Sequence, residues 1–209
     1  MTTTREDMRA LLDERRAEFF RRIYLRNEWN GRGGTRSGPG SSLVATERLR
    51  EVLPQIMVDL EIGSILDAGC GDSLWMPSLP GYVGVDIVEQ AVKIARERHP
   101  ERSYATLDIC ADVLPKCEAI ICRDAMQHMS MHDGLAALEN FRASGAEWFF
   151  AASHRGTENE SITTGGYYQI NLEAAPFSLG EPLLEIPDGD WENELKFPHK
   201  MLGLWALAS

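Results

Sequence analysis

The hydrophobic and polar positions at the start of the chain alternate with the period of an α-helix. Apolar residues recur at helical spacing over residues 5–26, with Arg and Glu between them, and again over residues 45–60. Residues 27–42, between these segments, are rich in glycine and serine and contain no aliphatic side chain. Loops of this length inside a compact domain are commonly functional. We therefore predict a helical extension followed by a lid, with a simple connector as the alternative to the lid.

From residue 64 the pattern changes to short apolar runs separated by turns and helices. The predicted strands are 64–68, 82–87, 104–109, 119–122 and 148–152, and the predicted helices among them are 88–98 and 131–144. Strands that are apolar on both faces and are joined by helices form parallel, doubly wound sheets. Two later apolar stretches, 182–186 and 202–207, are expected to pair at one edge. The predicted fold class is α/β, with a Rossmann-like, mostly parallel sheet, helices on both faces, an antiparallel edge strand and an N-terminal helical extension.

Length and composition are typical of one globular domain. The 209 residues are 44% hydrophobic and 25% charged, so the chain can bury a core. We place an N-terminal helix and Gly/Ser-rich loop at residues 1–42 and the sheet-bearing domain at residues 43–209. No apolar run approaches the roughly 18 residues of a membrane span, the N-terminus lacks the apolar core of a secretory signal, and the four cysteines form no CxxC pair. These features predict a cytoplasmic protein without a membrane span.

The charge of the chain is unevenly distributed. The formal net charge is −11, yet residues 5–36 hold nine arginines against six acidic residues. The remainder is therefore strongly acidic and repels phosphate backbones, which excludes nucleic acid as the expected substrate. The N-terminal arginines are expected to form the solvated face of a helix, with a local contact to an anion as the alternative.

Polar side chains and glycines stand where the predicted parallel strands end, the edge at which open α/β sheets bind ligands. Gly69 and Gly71 let the first turn bend tightly and bring its backbone N–H groups near a ligand. Asp67 can accept a hydrogen bond from an ammonium group, Asp86 from both hydroxyls of a ribose, and Asp108 from the exocyclic amine of an adenine. The apolar neighbours included in this cofactor-binding set are Ile87, Leu107 and Ile109.

A dinucleotide is the rival ligand for such a turn. The dinucleotide fingerprint needs a third glycine, where this chain has Leu74, and an acid directly before the glycines repels a pyrophosphate. S-adenosylmethionine carries no phosphate and has two positive centres, so an acidic rim suits it. We predict S-adenosylmethionine as the cofactor, and a nucleotide-binding oxidoreductase remains the alternative.

These residues also carry a family resemblance. The segments Ile65-Leu66-Asp67-Ala68-Gly69-Cys70-Gly71, Val83-Gly84-Val85-Asp86 and Leu107-Asp108 resemble the successive motifs of class I S-adenosylmethionine-dependent methyltransferases. Together with 24–31, 37–41, 121–124, 170–172 and 202–205, they resemble small bacterial saccharide O-methyltransferases, among them the 1-O-methyltransferases of methylmannose polysaccharide assembly. The resemblance implies transfer of a methyl group to a saccharide hydroxyl. A methyltransferase of another small-molecule pathway is the alternative.

Methyl transfer to a hydroxyl needs a group that takes its proton. His128 follows the fourth predicted strand and is the first candidate for the general base, because imidazole titrates near neutral pH. Asp124 is the second candidate, either as base or as a ligand of Mg²⁺ that would acidify the hydroxyl. His154 follows the fifth strand and is a third candidate for base, ligand or substrate contact. The alternatives are a helix cap for Asp124 and a partly buried helix residue for His128.

The acceptor and the lid have their own candidates. Aromatic rings that can stack on a sugar are Trp29, Trp75, Tyr167, Tyr168 and Trp191, and we retain Trp29, Tyr167 and Tyr168 as the substrate-binding set. Tyr167 and Tyr168 lie in a polar segment and are expected to be exposed. Arg36 and Ser37 in the predicted lid are expected to meet the carboxylate of the cofactor. The N-terminal helix is expected to pack on its own domain or on a second subunit, which leaves a homodimer open.

Overall fold

The computed structural model describes residues 5–29, 33–189 and 197–207. The α-helices are α1 (Arg5–Arg26), α2 (Glu47–Asp59), α3 (Glu89–Arg98) and α4 (Met131–Ser144), and single 3₁₀ turns lie at Pro39–Ser41 and Met126–His128. The strands are β1 (Ile65–Ala68), β2 (Tyr82–Asp86), β3 (Ser103–Thr106), β4 (Ala119–Cys122), β5 (Trp148–His154), β6 (Leu184–Pro187) and β7 (Lys200–Ala206). The predicted helices and strands are all present, most of them within two residues of the predicted ends.

The seven strands form one sheet in the order β3-β2-β1-β4-β5-β7-β6. Strands β1 to β5 pair in parallel, and β7 is antiparallel to both of its neighbours, β5 and β6. The predicted α/β class with a mostly parallel sheet is therefore confirmed. The antiparallel strand lies one position inside the edge, because β6 pairs with its outer side.

Alternate residues of the central strands pack into two separate hydrophobic clusters, one on each face of the sheet. In β1, Leu66 packs in the cluster that contains Leu138 and Phe141 of α4. Its neighbour Ile65 packs in the cluster that contains Leu49 of α2. Because side chains of a strand alternate between faces, this division shows the predicted arrangement of helices on both faces.

The N-terminal helix packs on its own chain. Phe20 is 7% exposed and belongs to the same cluster as Leu66, and Ile23 is 3% exposed. At Phe20 and Ile23, the apolar face of α1 is thus covered by its own chain, which is one of the two packing partners that the sequence left open.

The third strand is shorter than predicted and ends at Thr106. Leu107 still donates its backbone N–H to the carbonyl of Asp86, but Asp108 begins a turn, since its Oδ1 accepts from the N–H of Cys110 at 2.9 Å and its carbonyl from Ala111. Residues 107–109 therefore leave the sheet at its carboxyl edge. This exit brings them to the side where β1 and β2 also end.

Two connections between parallel strands, residues 69–81 and 107–118, contain no α-helix. The first follows the glycines directly, so the glycine turn leads into irregular chain and not into a helix. Among the described helices, none combines the length and the apolar character that crossing a bilayer requires.

Candidate functional site

The glycine turn after β1 is folded against the end of β2. Gly69 and Gly71 have φ angles of +85° and +54°, a region that favours glycine. The N–H of Gly71 donates to Oδ2 of Asp86 at 2.8 Å. A Cβ atom at Gly71 would overlap the hydroxyl of Ser37, so the turn also touches the predicted lid.

Three carboxylates lie around this turn in different electrostatic settings. Asp67 is 3% exposed and accepts from the hydroxyl of Tyr82 at 2.8 Å, and burial raises the pKa of Asp67 to about 7. Burial also raises the pKa of Asp86, although the N–H groups of Val88 and Gly71 oppose the shift. Asp108 differs, because it receives two hydrogen bonds from a guanidinium.

A cavity opens between the glycine turn and the ends of β2 and β3, which we name the glycine-turn cavity. Nine of the ten predicted cofactor-binding residues line it: Ser37, Asp67, Gly69, Gly71, Asp86, Ile87, Leu107, Asp108 and Ile109. Trp75, a stacking candidate in the sequence, also lines this cavity. The tenth residue, Arg36, has an exposed side chain that is absent from the described lining. The sequence thus predicted residues that the fold brings together, and Arg36 contributes only its backbone nearby.

One face of α1 forms the roof of the glycine-turn cavity. Arg16, Phe20 and Tyr24 line it from successive turns of the helix. Arg16 is 6% exposed and donates from Nε and Nη2 to Oδ2 of Asp108, at 2.9 and 2.7 Å, and from Nη1 to Asp133 at 2.5 Å. Arg16 and its neighbours on this face were not predicted as site residues. Their i, i+4, i+8 spacing was the available signal, but it resembles any buried helix face.

The predicted lid is fixed to the glycine turn by Asp72, which is 1% exposed. Its carboxylate accepts from the hydroxyl of Thr35 and from the backbone N–H of Arg36, each at 3.0 Å. Its own N–H donates to the hydroxyl of Ser37 at 3.1 Å, and Arg98 lies 3.3 Å from its carboxylate. Asp72 was part of the glycine motif in the sequence, but its role as an anchor was missed.

A second, wider cavity adjoins the first, and we name it the aromatic cavity. Its aromatic rings form an arc in which Trp29 lies 5.0 Å from His128, His128 lies 5.7 Å from Tyr167, and Tyr167 lies 6.4 Å from Phe197, measured between ring centroids. Phe197 was missed in the sequence. Trp191 lies outside the described residues.

The prediction that Tyr168 is exposed and binds substrate is wrong. Tyr168 is 3% exposed and packs in the core cluster, whereas Tyr167 is 46% exposed and lines the aromatic cavity. Consecutive residues of an extended segment point to opposite sides, so only one of the two rings can face the cavity.

His128 lines both cavities and ends the 3₁₀ turn after β4. Its Nδ1 lies 2.8 Å from the carbonyl oxygen of Gly166. A carbonyl only accepts, so Nδ1 carries the proton and Nε2 keeps its lone pair. Burial lowers the pKa of His128, although the bond to Gly166 and the Asp124 carboxylate oppose this shift. The ring is therefore a neutral proton acceptor with a fixed tautomer.

Asp124 also lines both cavities, but cations occupy its surroundings. Nζ of Lys200 lies 2.8 Å from its carboxylate and Nη1 of Arg123 lies 3.5 Å from it. Burial alone would raise the pKa of Asp124, but these two cations hold it below its ordinary range. Asp124 is not the helix cap that the sequence left open, because Ser130 caps α4 by accepting from the N–H of Asp133.

The surroundings of Asp124 do not fit a divalent cation. Its charged neighbours, Lys200 and Arg123, would repel one. In the described ranges no group of three or more His, Cys, Asp or Glu side chains is placed to hold a metal ion. Mg²⁺ is usually bound through one or two carboxylates and several waters, and the carboxylate of Asp124 is already paired with Lys200.

Asp124 belongs to a buried charge cluster at the ends of β4 and β7. Arg123 and Asp188 pair through three hydrogen bonds of 2.6 to 3.1 Å, and Lys200 lies 3.1 Å from Asp188. His154 lies beside this cluster, 1% exposed, and is absent from the described lining of both cavities. Burial and the Lys200 charge lower the pKa of His154. His154 therefore lies outside the described lining of the two cavities that His128 lines.

Comparison with solved structures places the fold among methyltransferases. Magnesium protoporphyrin IX methyltransferase (ChlM) from Synechocystis PCC 6803, with bound SAM, matches with a TM-score of 0.65 over 92% of this chain and 97% of its own, at 14% identity. The methyltransferase domain of bacterial-CtHen1-CN matches with a TM-score of 0.58 over 78% of this chain and 100% of its own, at 10% identity. The chain has the fold of these methyltransferases.

The CurJ carbon methyltransferase is a further structural neighbour, with a TM-score of 0.56 and 16% identity over 77% of this chain and 53% of its own. No protein-family model and no curated protein sequence matches the chain. The three neighbours carry different acceptors in their names, or none, so the likeness shows a shared architecture and does not indicate a substrate.

Proposed function

We propose that this chain is an S-adenosylmethionine-dependent O-methyltransferase that acts on a hydroxyl of a saccharide, with a methylmannose oligosaccharide as the first acceptor to test. The observation that carries the proposal is the position of His128, which lines both cavities. A base that lines both cavities can take the proton of a substrate hydroxyl in the aromatic cavity while the methyl donor lies in the glycine-turn cavity.

The glycine-turn cavity fits S-adenosylmethionine by its charge. Asp67 lies beside the turn where the ammonium group is expected, and Asp86 keeps free lone pairs for the ribose hydroxyls besides those that accept from Gly71 and Val88. Asp108 with Leu107 and Ile109 offers an acceptor and apolar contacts for adenine. S-adenosylmethionine supplies an electrophilic methyl group when it is bound.

The same cavity fits a dinucleotide poorly. Dinucleotide sites place the pyrophosphate at the N-terminus of the helix that follows the glycines. Here the described residues 69–81 contain no helix, and buried carboxylates surround the turn. The alternative of a nucleotide-binding oxidoreductase therefore lacks the feature on which it depends.

The residues of the aromatic cavity would hold the acceptor and remove its proton. Trp29, Tyr167 and Phe197 present apolar ring faces against which the C–H faces of a sugar can pack. His128 Nε2 accepts the proton of the reacting hydroxyl, because the carbonyl of Gly166 already fixes the proton on Nδ1. Asp124 is paired with Lys200. We therefore propose that Asp124 orients the buried charge cluster, and that it acts neither as a base nor as a metal ligand.

The proposal is tested with methyl-labelled S-adenosylmethionine and a panel of methylmannose and other oligosaccharides. We expect label in a glycan, and at least a 100-fold loss with His128→Gln. His132→Gln is the matched control, since His132 is 83% exposed at the start of α4 and should leave the rate unchanged. Label in no glycan would overturn the saccharide acceptor, and absence of S-adenosylhomocysteine binding would overturn the cofactor. The oligomeric state, for which a homodimer remains a prediction, is measured by sedimentation.

A further inference from the structure

The side-chain oxygen of Gln127 is a polar atom without a partner among the described residues. Gln127 is 7% exposed, lies in the 3₁₀ turn Met126–His128 and lines the aromatic cavity. A buried acceptor without a partner reduces stability, so Oε1 of Gln127 is a candidate for contact with a ligand.

The backbone around this amide is rigidly held. The carbonyl of Gln127 accepts from the N–H of Tyr168 at 3.2 Å, and the carbonyl of His128 accepts from the N–H of Gly165 at 2.7 Å. The ring of His128 donates to Gly166, as described above. Residues 164–168 thus fix the 3₁₀ turn, and Oε1 of Gln127, in the same turn as the proposed base, has no partner among the described residues.

We propose that Gln127 determines specificity by hydrogen-bonding the hydroxyl next to the one that is methylated, so that the acceptor is a vicinal diol of a sugar ring. This inference rests on the proposed function and adds the feature of the substrate that the aromatic cavity would recognise, a hydroxyl next to the methylated one. Gln127 acts as a binding residue for the acceptor, and the proton transfer itself stays with His128.

Adjacency and chemistry support a vicinal pair. Gln127 and His128 are consecutive residues, and both line the aromatic cavity. In a sugar, the polar group nearest to the reacting hydroxyl is the hydroxyl on the neighbouring ring carbon. That hydroxyl is therefore the first candidate for the partner of Gln127, since a hydroxyl can donate to the acceptor Oε1. The nearby rings of Trp29 and Tyr167 pack on the faces of the sugar and leave this contact to Gln127.

A substrate with an isolated hydroxyl would leave Oε1 of Gln127 buried and without a partner. Sites built to bond a hydroxyl discriminate strongly against analogues that lack it, for this reason. The protein is therefore expected to require the hydroxyl beside the methylated one, and to discriminate less by the overall size of the glycan.

The test compares wild-type protein with Gln127→Met, which keeps the length of the side chain and removes its hydrogen bonds. The probes are the methylmannose oligosaccharide labelled in the preceding experiment and its monodeoxy analogues, each with one hydroxyl replaced by hydrogen. For wild type, kcat/KM should fall about 10- to 100-fold with the analogue that lacks the neighbouring hydroxyl. Gln127→Met should lose a similar factor with the full acceptor and show no further loss with that analogue.

Two controls separate this role from a structural one. S-adenosylhomocysteine should bind Gln127→Met with unchanged affinity. The Tm of the variant should equal or exceed that of wild type, because a buried acceptor without a partner has been removed. Transfer to a glycan with the same deoxy discrimination in both proteins would overturn the role of Gln127 alone. No transfer to any glycan, with S-adenosylhomocysteine still bound, would overturn the saccharide acceptor and the role of Gln127 together.

Discussion

Asp67 makes the affinity for the proposed cofactor depend on pH. Its carboxyl group is 3% exposed, and burial raises its pKa to about 7, with Asp86 adding to the shift and the hydroxyl of Tyr82 opposing it. In the free protein the group is therefore about half protonated at pH 7. An ammonium group binds the ionised carboxylate, so binding must displace the remaining proton. Affinity is expected to rise with pH through 7 and to fall below it.

The magnitude follows from the ionised fraction of Asp67. With a pKa of about 7, that fraction is roughly one half at pH 7 and roughly one eleventh at pH 6. The Kd for S-adenosylhomocysteine should thus rise about fivefold between pH 7 and pH 6, and about tenfold for each further unit. A tenfold change in Kd corresponds to about 1.4 kcal/mol of binding free energy for each pH unit.

Titration calorimetry between pH 5.5 and 7.0 measures this dependence directly. Asp67→Asn should weaken binding at pH 7 and abolish its pH dependence over this range. Asp59→Asn, which changes an exposed carboxylate on α2, is the control and should behave as wild type. A wild-type Kd that stays constant over this range, or an Asp67→Asn protein with the full pH dependence, would refute the assignment of the ammonium site to Asp67.

Three further perturbations test the site. With S-adenosylmethionine saturating, the kcat/KM for the acceptor should fall as pH drops through the pKa of His128, which burial lowers from its ordinary value. A His128→Gln protein that keeps the same fall at acid pH would argue against His128 as base. Gly71→Ala should weaken S-adenosylhomocysteine binding at least tenfold by displacing Ser37. The control is Gly156→Ala, which has similar backbone strain at φ +77° but meets no atom within 4 Å. Equal effects of the two substitutions on binding would contradict the role of the contact between Gly71 and Ser37. Arg16→Met should lower the free energy of unfolding by about 3 kcal/mol in urea, because it leaves two buried carboxylates unpaired, and a loss below about 1 kcal/mol would show that this pairing is weak.

The sheet and the carboxylates at its edge could be predicted because their signals are local. A strand buried on both faces is visible as a continuous apolar run, and Asp67 and Asp86 stand within or at the end of such runs. Since parallel strands share one carboxyl edge, residues such as Asp67 and Asp108 could be brought together without knowing the turns between them. The end of β3 was mispredicted because the turn that begins at Asp108 depends on hydrogen bonds that Asp108 accepts from the N–H groups of Cys110 and Ala111, and an apolar run in the sequence does not indicate these bonds.

The charge pairs could not be predicted, because they join residues that are far apart in sequence. Arg16 bonds to Asp108 across 92 positions, and Arg123 bonds to Asp188 across 65. Each of these side chains looks like an ordinary surface charge in its own segment. Choosing between His128 and Asp124 as base depended on such a pair, because only the contact with Lys200 shows that the carboxylate is already neutralised.

The two cavities share an anchor that neither of them contains. Asp133 of α4 accepts from Arg16, which forms part of the roof of the glycine-turn cavity. The same carboxylate accepts from the hydroxyl of Thr164, whose oxygen in turn accepts from the N–H of Ser130 at 2.9 Å. Thr164 begins the segment that holds His128 through the N–H of Gly165. The helix that covers the proposed cofactor site and the segment that fixes the proposed base are therefore held by one buried carboxylate, so displacement of α1 removes a partner from the group that positions His128.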